Sequence, residues 1–127
     1  MDRLIVVAGG VLCLFVLTAS LMQVPQAAGA GAPAAQELKN PFEGNAGAMK
    51  EGEKLFDERC ADCHGSDAMG GAGPDLTDDK WFYGGSDGDL FATVSGGRKG
   101  GMPSWKGQLT DDEIWKVIAY VRSLKKK

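Results

Sequence analysis

Cys60-Ala61-Asp62-Cys63-His64 places two thiols and an imidazole within five residues, at the end of a segment with helical periodicity. A structural zinc site needs four ligands, and outside the apolar N-terminal run the chain has only these two cysteines and a single histidine. A thioredoxin-like pair would need alternating strands and helices, which the sequence does not indicate. A plain disulfide would leave His64 without a role.

The remaining interpretation of this motif is covalent haem attachment, because C-x-x-C-H is the signature of c-type haem. Two thiols three positions apart on one helical turn can each reach a vinyl group of the same porphyrin. We therefore predict thioether bonds from Cys60 and Cys63 to a single haem c. His64, directly after the second cysteine, is then the predicted proximal ligand of the iron.

The second axial ligand cannot be another histidine of this chain, because His64 is the only one. The candidates are the sulfur atoms of Met49, Met69 and Met102, or an open position. Met49 has the spacing of a helix core, and Met69 is too close to His64 to reach the opposite haem face. Met102 lies in a Gly-Gly-Met-Pro loop, where glycines permit close approach and proline stiffens the turn. We predict Met102 as the ligand, and Met/His ligation suits electron transfer.

The N-terminal region differs in composition from the rest of the chain. Residues 4–24 contain no charge, and Ala28-Gly29-Ala30 fits a small-x-small cleavage site. We predict a signal peptide over residues 1–30, with an uncleaved membrane anchor as the alternative, since about 20 apolar residues suffice to span a bilayer. A linker over 31–44 and one domain over 45–127 follow. Both alternatives place the domain outside the cytoplasm.

Capping signals and apolar periodicity predict an all-α domain with long glycine-rich loops. A helical pattern begins at Asn45, Ser86 can cap a short helix, and Thr110 with Glu113 forms a capping box. The last helix is expected to end near Leu124, and no alternating stretch indicates a strand. Loops this long in a small domain are explained if they wrap a cofactor.

The charge balance excludes some partners. The chain has 14 Lys and Arg against 17 Asp and Glu, for a net charge of −3. We therefore expect no nucleic acid partner. We also expect a monomer.

Fewer than 100 residues remain after residues 1–30, and a domain this small benefits from a cofactor as its apolar centre.

The segment from Asn45 to Leu124 resembles a class I cytochrome c. Gly52, Phe56 and Cys60, at successive intervals of four, resemble the first helix of that family, and residues 117–121 resemble its last. The resemblance implies that these helices cross at the glycine, with two aromatic rings packed near the crossing. It also implies that the carbonyl of Pro74 accepts the ring N–H of the proximal histidine.

A second resemblance is more particular. The run from Pro74 to Gly85, with Gly97-Arg98 and Met102–Trp105, is similar to the haem modules of cbb3-type oxidases and of quinoprotein alcohol dehydrogenase partners. This implies that Trp81, Tyr83 and Arg98 surround the haem propionates. The dihaem modules have a second C-x-x-C-H, which is absent here, so we do not expect a whole oxidase subunit.

These inferences predict a periplasmic one-electron carrier, not an enzyme. The expected donor is a dehydrogenase, for example a quinoprotein alcohol dehydrogenase, or another respiratory donor, and the expected acceptor is a terminal oxidase or another cytochrome. Two alternatives stay open. One is a membrane-anchored subunit of a respiratory complex, and the other is a five-coordinate haem enzyme or gas sensor in which Met102 is merely structural.

Overall fold

The computed structural model describes residues 38–125, and four helices account for its regular structure. They are α1 (Ala46–Arg59), α2 (Ala61–His64), α3 (Asp87–Gly96) and α4 (Asp111–Ser123). Between residues 38 and 125 there is no strand, only two isolated bridges, from Arg98 to Met102 and from Lys106 to Leu109. The predicted all-α class is confirmed.

Each of the three longer helices begins at a residue whose side chain accepts a backbone N–H. The side chain of Asn45 accepts from the third residue of α1, at 3.0 Å. Ser86 with Asp89 and Thr110 with Glu113 form complete capping boxes at α3 and α4. These bonds satisfy N–H groups that have no partner within the helix. The helix starts expected from the sequence are therefore confirmed.

Helices α1 and α4 cross in direct backbone contact at Gly52. A Cβ atom at this position would overlap the carbonyl group of Lys116 and lie 3.0 Å from the nitrogen of Val117. Near the crossing, the rings of Phe56 and Tyr120 pack with their centroids 5.5 Å apart, tilted by 57°. The crossing implied by the class I resemblance is present.

Helix α4 is the central element because its apolar stripe contributes to two core clusters. One face of α4 packs with α1 and the loop after α2, and the other packs with α3 and the loop before α4. The first cluster contains Phe56, Ala68, Val117 and Val121. The second contains Leu90, Leu109, Ile114 and Ile118. The space beside these clusters, between α2 and the loops, is where the site lies.

The segment before α1 packs against the helices although the sequence assigned it to a linker over 31–44. The side chain of Asn40, only 6% exposed, donates to the carbonyl oxygen of Trp115 at 2.8 Å and accepts from the N–H of Phe42. Its own backbone N–H donates to Asp87 Oδ2 at 2.9 Å. Packed structure therefore begins before Asn45.

The predicted signal peptide or anchor over 1–30 lies outside the described residues. Within the described part of the chain, none of the helices combines the length and the apolar character needed to cross a membrane.

Candidate haem site

A single cavity of about 680 Å³ brings together all eight residues singled out by the sequence. Its volume falls within the range of small-molecule and cofactor sites, about 300–1,000 Å³. The core side chains of α1, α3 and α4 form its floor, and the loops after α2 and α3 form its two walls. The eight residues are Cys60, Cys63, His64, Pro74, Trp81, Tyr83, Arg98 and Met102.

His64 is held on one wall by a hydrogen bond to the main chain. The ring is 9% exposed, and its Nδ1 lies 3.0 Å from the carbonyl oxygen of Pro74. A carbonyl can only accept, so Nδ1 carries the proton and the lone pair of the neutral ring is on Nε2. This arrangement leaves Nε2 as the metal-binding atom and fixes the ring orientation.

The loop after α2 also positions His64 by close contact. A Cβ atom on Gly73 would lie 2.7 Å from Cε1 and 2.8 Å from Nδ1 of the ring. The N–H of Gly73 donates to the carbonyl oxygen of Cys63 at 2.7 Å, and the N–H of Gly70 donates to that of His64 at 2.8 Å. The ring therefore lies directly against backbone, with no room for a side chain at position 73.

The two cysteines lie at the start and in the middle of the short turn that carries His64. Cys60 closes α1 by donating its N–H to the carbonyl oxygen of Phe56 at 2.8 Å. Both cysteines line the cavity, and they are not joined to each other by a disulfide. Burial, with a smaller contribution from the neighbouring Cys63, raises the pKa of the Cys60 thiol to about 11.

Met102 lines the cavity from the loop between α3 and α4. The N–H of Arg98 donates to the carbonyl oxygen of Met102 at 3.0 Å. Gly97, at φ +69°, lies so close that a Cβ would be 2.7 Å from that same oxygen. Met49 and Met69 do not line the cavity, and Met69 is 50% exposed. Of the three methionines considered, the structure brings only Met102 to the site.

Arg98 is held over the cavity by two neutral groups. Its Nε and Nη2 donate to Thr93 Oγ1 at 3.1 and 2.6 Å. Its guanidinium lies 4.4 Å from the centre of the Tyr83 ring, within the range of a cation–π contact. Neither partner carries a negative charge, so the guanidinium can still form a charge-assisted bond to an anion.

Trp81 lies in a loop that α4 holds in place. A Cβ on Gly85 would be 2.6 Å from Cδ1 of the indole, so the ring packs against backbone. Arg122 donates to the Gly85 carbonyl oxygen, forms an ion pair with Asp87 at 2.8 Å, and lies 5.9 Å from the centre of the Trp81 ring. Arg122 therefore ties the indole-bearing loop to the last helix.

Sequence reasoning missed Thr93 and Arg122. Thr93 is an ordinary helical residue whose role depends on Arg98 folding back over five positions. Arg122 could have been noticed in the sequence. It lies four residues after the buried Ile118, so it places a charged side chain on the apolar face of α4. A charge at such a position needs a partner, which here is Asp87.

The residues that line the cavity fit haem c. The walls are mostly apolar, as a porphyrin ring requires, and the two thiols, the imidazole and the thioether are the donors that c-type haem uses. Four cationic side chains line the cavity against one carboxylate, which suits the two propionate groups. The cations are Arg59, Lys80, Arg98 and Lys99, and the carboxylate is Asp75.

A helical fold crossed at Gly52, with a C-x-x-C-H turn facing a methionine loop across an apolar cavity, defines a class I c-type cytochrome. The comparisons with known proteins agree. The chain belongs to the family described as cytochrome c oxidase, cbb3-type, subunit III, whose model matches residues 47–121. The protein is accordingly a c-type cytochrome with covalently bound haem c.

Among curated proteins, the chain is 44% identical over 79 residues to the cbb3-type cytochrome c oxidase subunit CcoP of Rubrivivax gelatinosus, covering 61% of this chain and 26% of that protein. It is 42% identical over 78 residues to cytochrome c-L of Methylorubrum extorquens, covering 60% and 40%. The chain thus spans less than half of these relatives.

Among solved structures, cytochrome cL from Methylophaga aminisulfidivorans is similar with a TM-score of 0.67 and 39% identity. The match covers 68% of this chain and 59% of that one. Cytochrome cL from Hyphomicrobium denitrificans gives a TM-score of 0.67 at 36% identity. The class I fold expected from the sequence is therefore confirmed.

Proposed function

We propose that this cytochrome is an exported, periplasmic one-electron carrier. It takes electrons from a dehydrogenase or another respiratory donor and passes them to a terminal oxidase or another cytochrome. The cbb3-type subunits and cytochromes c-L among its relatives support redox protein partners of this kind. The identity of each partner is part of the proposal, because the chain spans only a fraction of those relatives.

We assign the cofactor contacts as follows. Cys60 and Cys63 would hold haem c through thioether bonds, and His64 Nε2 and the Met102 sulfur would bind its iron. Arg98 meets the propionate groups, together with the other residues expected there, which are Pro74, Trp81 and Tyr83. The observation that carries this assignment is that one cavity contains all these residues, with His64 Nδ1 bonded to Pro74.

When bound, haem c supplies a reversible one-electron couple at its iron. The residues of this chain would hold the haem in a fixed orientation within a mostly apolar cavity. The Pro74 carbonyl accepts the proton on Nδ1 of His64, which leaves Nε2 free toward the cavity and holds the ring in one orientation. Phe56 and Ile118, both fully buried, belong to the apolar floor that excludes water. A thioether from Met102 raises the reduction potential relative to a second histidine.

Carbon monoxide added to the reduced holo-protein tests this function. If His64 and Met102 both bind the iron, carbon monoxide should bind the wild-type protein slowly and only at high concentration. At lower concentrations the absorption spectrum of the reduced protein should not change. Met102→Ala serves as the positive control, since it opens the sixth position and should bind carbon monoxide rapidly. Rapid binding by the wild-type protein would instead favour the five-coordinate enzyme or gas sensor.

A membrane-anchored subunit of a respiratory complex is the second candidate, and the similarity to CcoP favours it. The two candidates share the same haem site and differ in residues 1–30. The mass of the intact protein purified from its native membrane or periplasm distinguishes them. Loss of those residues supports the exported carrier, and their retention supports the anchored subunit.

A further inference from the structure

Arg122, in the last turn of α4, contacts the haem cavity through other residues without lining it. Its Nε and Nη2 donate to Asp87 Oδ1 at 3.1 and 2.8 Å, and Nη2 also donates to the carbonyl oxygen of Gly85. Gly85 lies against the indole of Trp81, which does line the cavity. A continuous series of contacts therefore joins Arg122 to one wall of the site.

The ion pair of Arg122 and Asp87 is partly withdrawn from solvent. Its side chains are 32% and 12% exposed, whereas those of the Lys125–Asp79 pair are 57% and 74% exposed. An exposed pair contributes little, but a carboxylate as buried as that of Asp87 needs a partner at each oxygen. Oδ2 accepts from the backbone N–H of Asn40 at 2.9 Å, so Oδ1 is left to Arg122. The carboxylate thereby fixes the direction of the guanidinium.

The loop that carries Trp81 depends on Arg122 for its attachment. Among the residues that the structure describes, the bond from Arg122 to Gly85 is the only hydrogen bond that joins residues 81–85 to another element of the fold. The guanidinium also lies 5.9 Å from the centre of the indole ring. Because its N–H groups form a rigid fork, arginine can bind Asp87 and the Gly85 carbonyl at the same time.

We infer that Arg122 is a positioning residue for the haem: by holding the Gly85 carbonyl, it sets the place of the Trp81 indole in the cavity and, through the indole, the reduction potential. This inference rests on the proposed electron-carrier function and adds to it a residue outside the cavity. An indole beside the haem excludes water and can donate its N–H to a propionate. Both effects disfavour the more positive ferric state, so displacement of the indole should lower the potential.

Redox titration of the holo-protein tests this role with Arg122→Lys, made in the wild-type chain and in a Trp81→Ala chain. The substitution conserves the charge, but an ammonium lacks the fork that reaches both Asp87 and Gly85. In the wild-type chain we expect Arg122→Lys to lower the reduction potential. In the Trp81→Ala chain it should have little effect, because no indole remains to be positioned.

Asn40→Ala is the matched control, because it perturbs the same carboxylate from its other side and also conserves the charge. The side chain of Asn40 holds its segment to the Trp115 carbonyl, and the backbone of that segment binds Asp87. We expect this variant to lower the midpoint of thermal unfolding and to leave the potential unchanged, because the contacts of Arg122 are retained.

A second measurement follows the indole itself. The ¹⁵N–H resonance of the Trp81 indole, assigned by its loss in Trp81→Phe, differs between the ferric and ferrous proteins by an amount that depends on its position relative to the iron. Arg122→Lys should change this difference, whereas Asn40→Ala should not.

Equal changes of the potential in Arg122→Lys and Asn40→Ala would overturn the inference, since the potential would then follow the stability of the fold. An unchanged potential in Arg122→Lys would also overturn it, as would a lowering of the same size in the Trp81→Ala chain. If Trp81→Ala does not retain haem, the resonance decides, and an indole that keeps its position in Arg122→Lys refutes the role of Arg122. A wild-type holo-protein without a reversible one-electron couple would instead refute the proposed carrier function.

Discussion

Replacement of Gly52 by alanine tests the closest contact in the fold. A Cβ there would lie 2.5 Å from the carbonyl carbon of Lys116 and 3.0 Å from the nitrogen of Val117. Both atoms belong to the backbone of α4, so no side-chain rotation can relieve the overlap. The two helices must move apart, and overpacking of this kind costs about 1–3 kcal/mol.

The expected net effect also includes the helix preference of the two residues. Alanine is favoured over glycine by about 1 kcal/mol in the interior of a helix. Because the overlap is with backbone, we take the upper end of the overpacking cost, about 3 kcal/mol. The difference predicts that Gly52→Ala lowers the free energy of unfolding by about 2 kcal/mol, or the midpoint of thermal unfolding by about 10 °C.

Gly47→Ala is the matched control because it makes the same change on the same helix. A Cβ at position 47 meets only the side-chain oxygen of Asn45, at 3.4 Å, and the residue is exposed. We expect it to raise the free energy of unfolding by about 0.5 kcal/mol. Guanidinium unfolding of the ferric holo-protein, followed by circular dichroism, measures both variants. A Gly52→Ala protein as stable as Gly47→Ala would refute the close crossing of α1 and α4.

Three further predictions concern the site and its supports. Met102→Ala should lower the reduction potential and retain the helical circular dichroism spectrum, because it removes the thioether ligand and no core residue; a redox titration that matches wild type would count against Met102. Gly73→Ala should push the His64 ring off its bond to Pro74 and destabilise the holo-protein by about 1–3 kcal/mol, measured by guanidinium unfolding, whereas a wild-type result would show that the ring has room. Hydrogen bonds from Thr110 lower the pKa of Glu113, so the stabilising effect of its carboxylate is fully present above the unfolded-state pKa, about 4.3, and is lost as the pH falls through the folded-state pKa. Glu113→Gln should therefore lower the midpoint of guanidinium unfolding at pH 7, and this difference from wild type should shrink progressively as the pH is lowered below about 4.3; a difference that stays constant with pH would contradict this role of Glu113.

Local signals in the sequence were sufficient for the helix starts and for the haem attachment motif. A capping box is contained in four residues, as at Thr110 and Glu113, and the attachment motif is contained in five. The Gly52 crossing could also be anticipated, but only through resemblance to a known family. Nothing in the composition of α1 alone states that α4 lies against that glycine.

Contacts between distant residues of unremarkable type could not be predicted. Asn40 reads as part of a polar linker, yet it bonds to Trp115, 75 positions away, and to Asp87. Arg122 reaches back 35 residues to the same carboxylate. Asp87 thus joins the segment before α1 to the last helix. Hydrophobic periodicity in the sequence gives no indication that these three residues are in contact.

The two walls of the haem cavity are built on different physical principles. On the His64 side, the ring lies against the backbone of Gly73 and is bonded to Pro74, so its orientation is set by the polypeptide. On the Met102 side, the loop is held through its main chain, since the N–H of Arg98 donates to the Met102 carbonyl oxygen and Gly97 lies against that same oxygen. Gly100 and Gly101, just before Met102, adopt φ angles of +109° and +132°. Glycines in this region permit a conformation that other residues rarely adopt. It follows that the position of His64 is set by contacts of its side chain with backbone, whereas that of Met102 is set by main-chain contacts and by backbone conformations that glycine adopts readily.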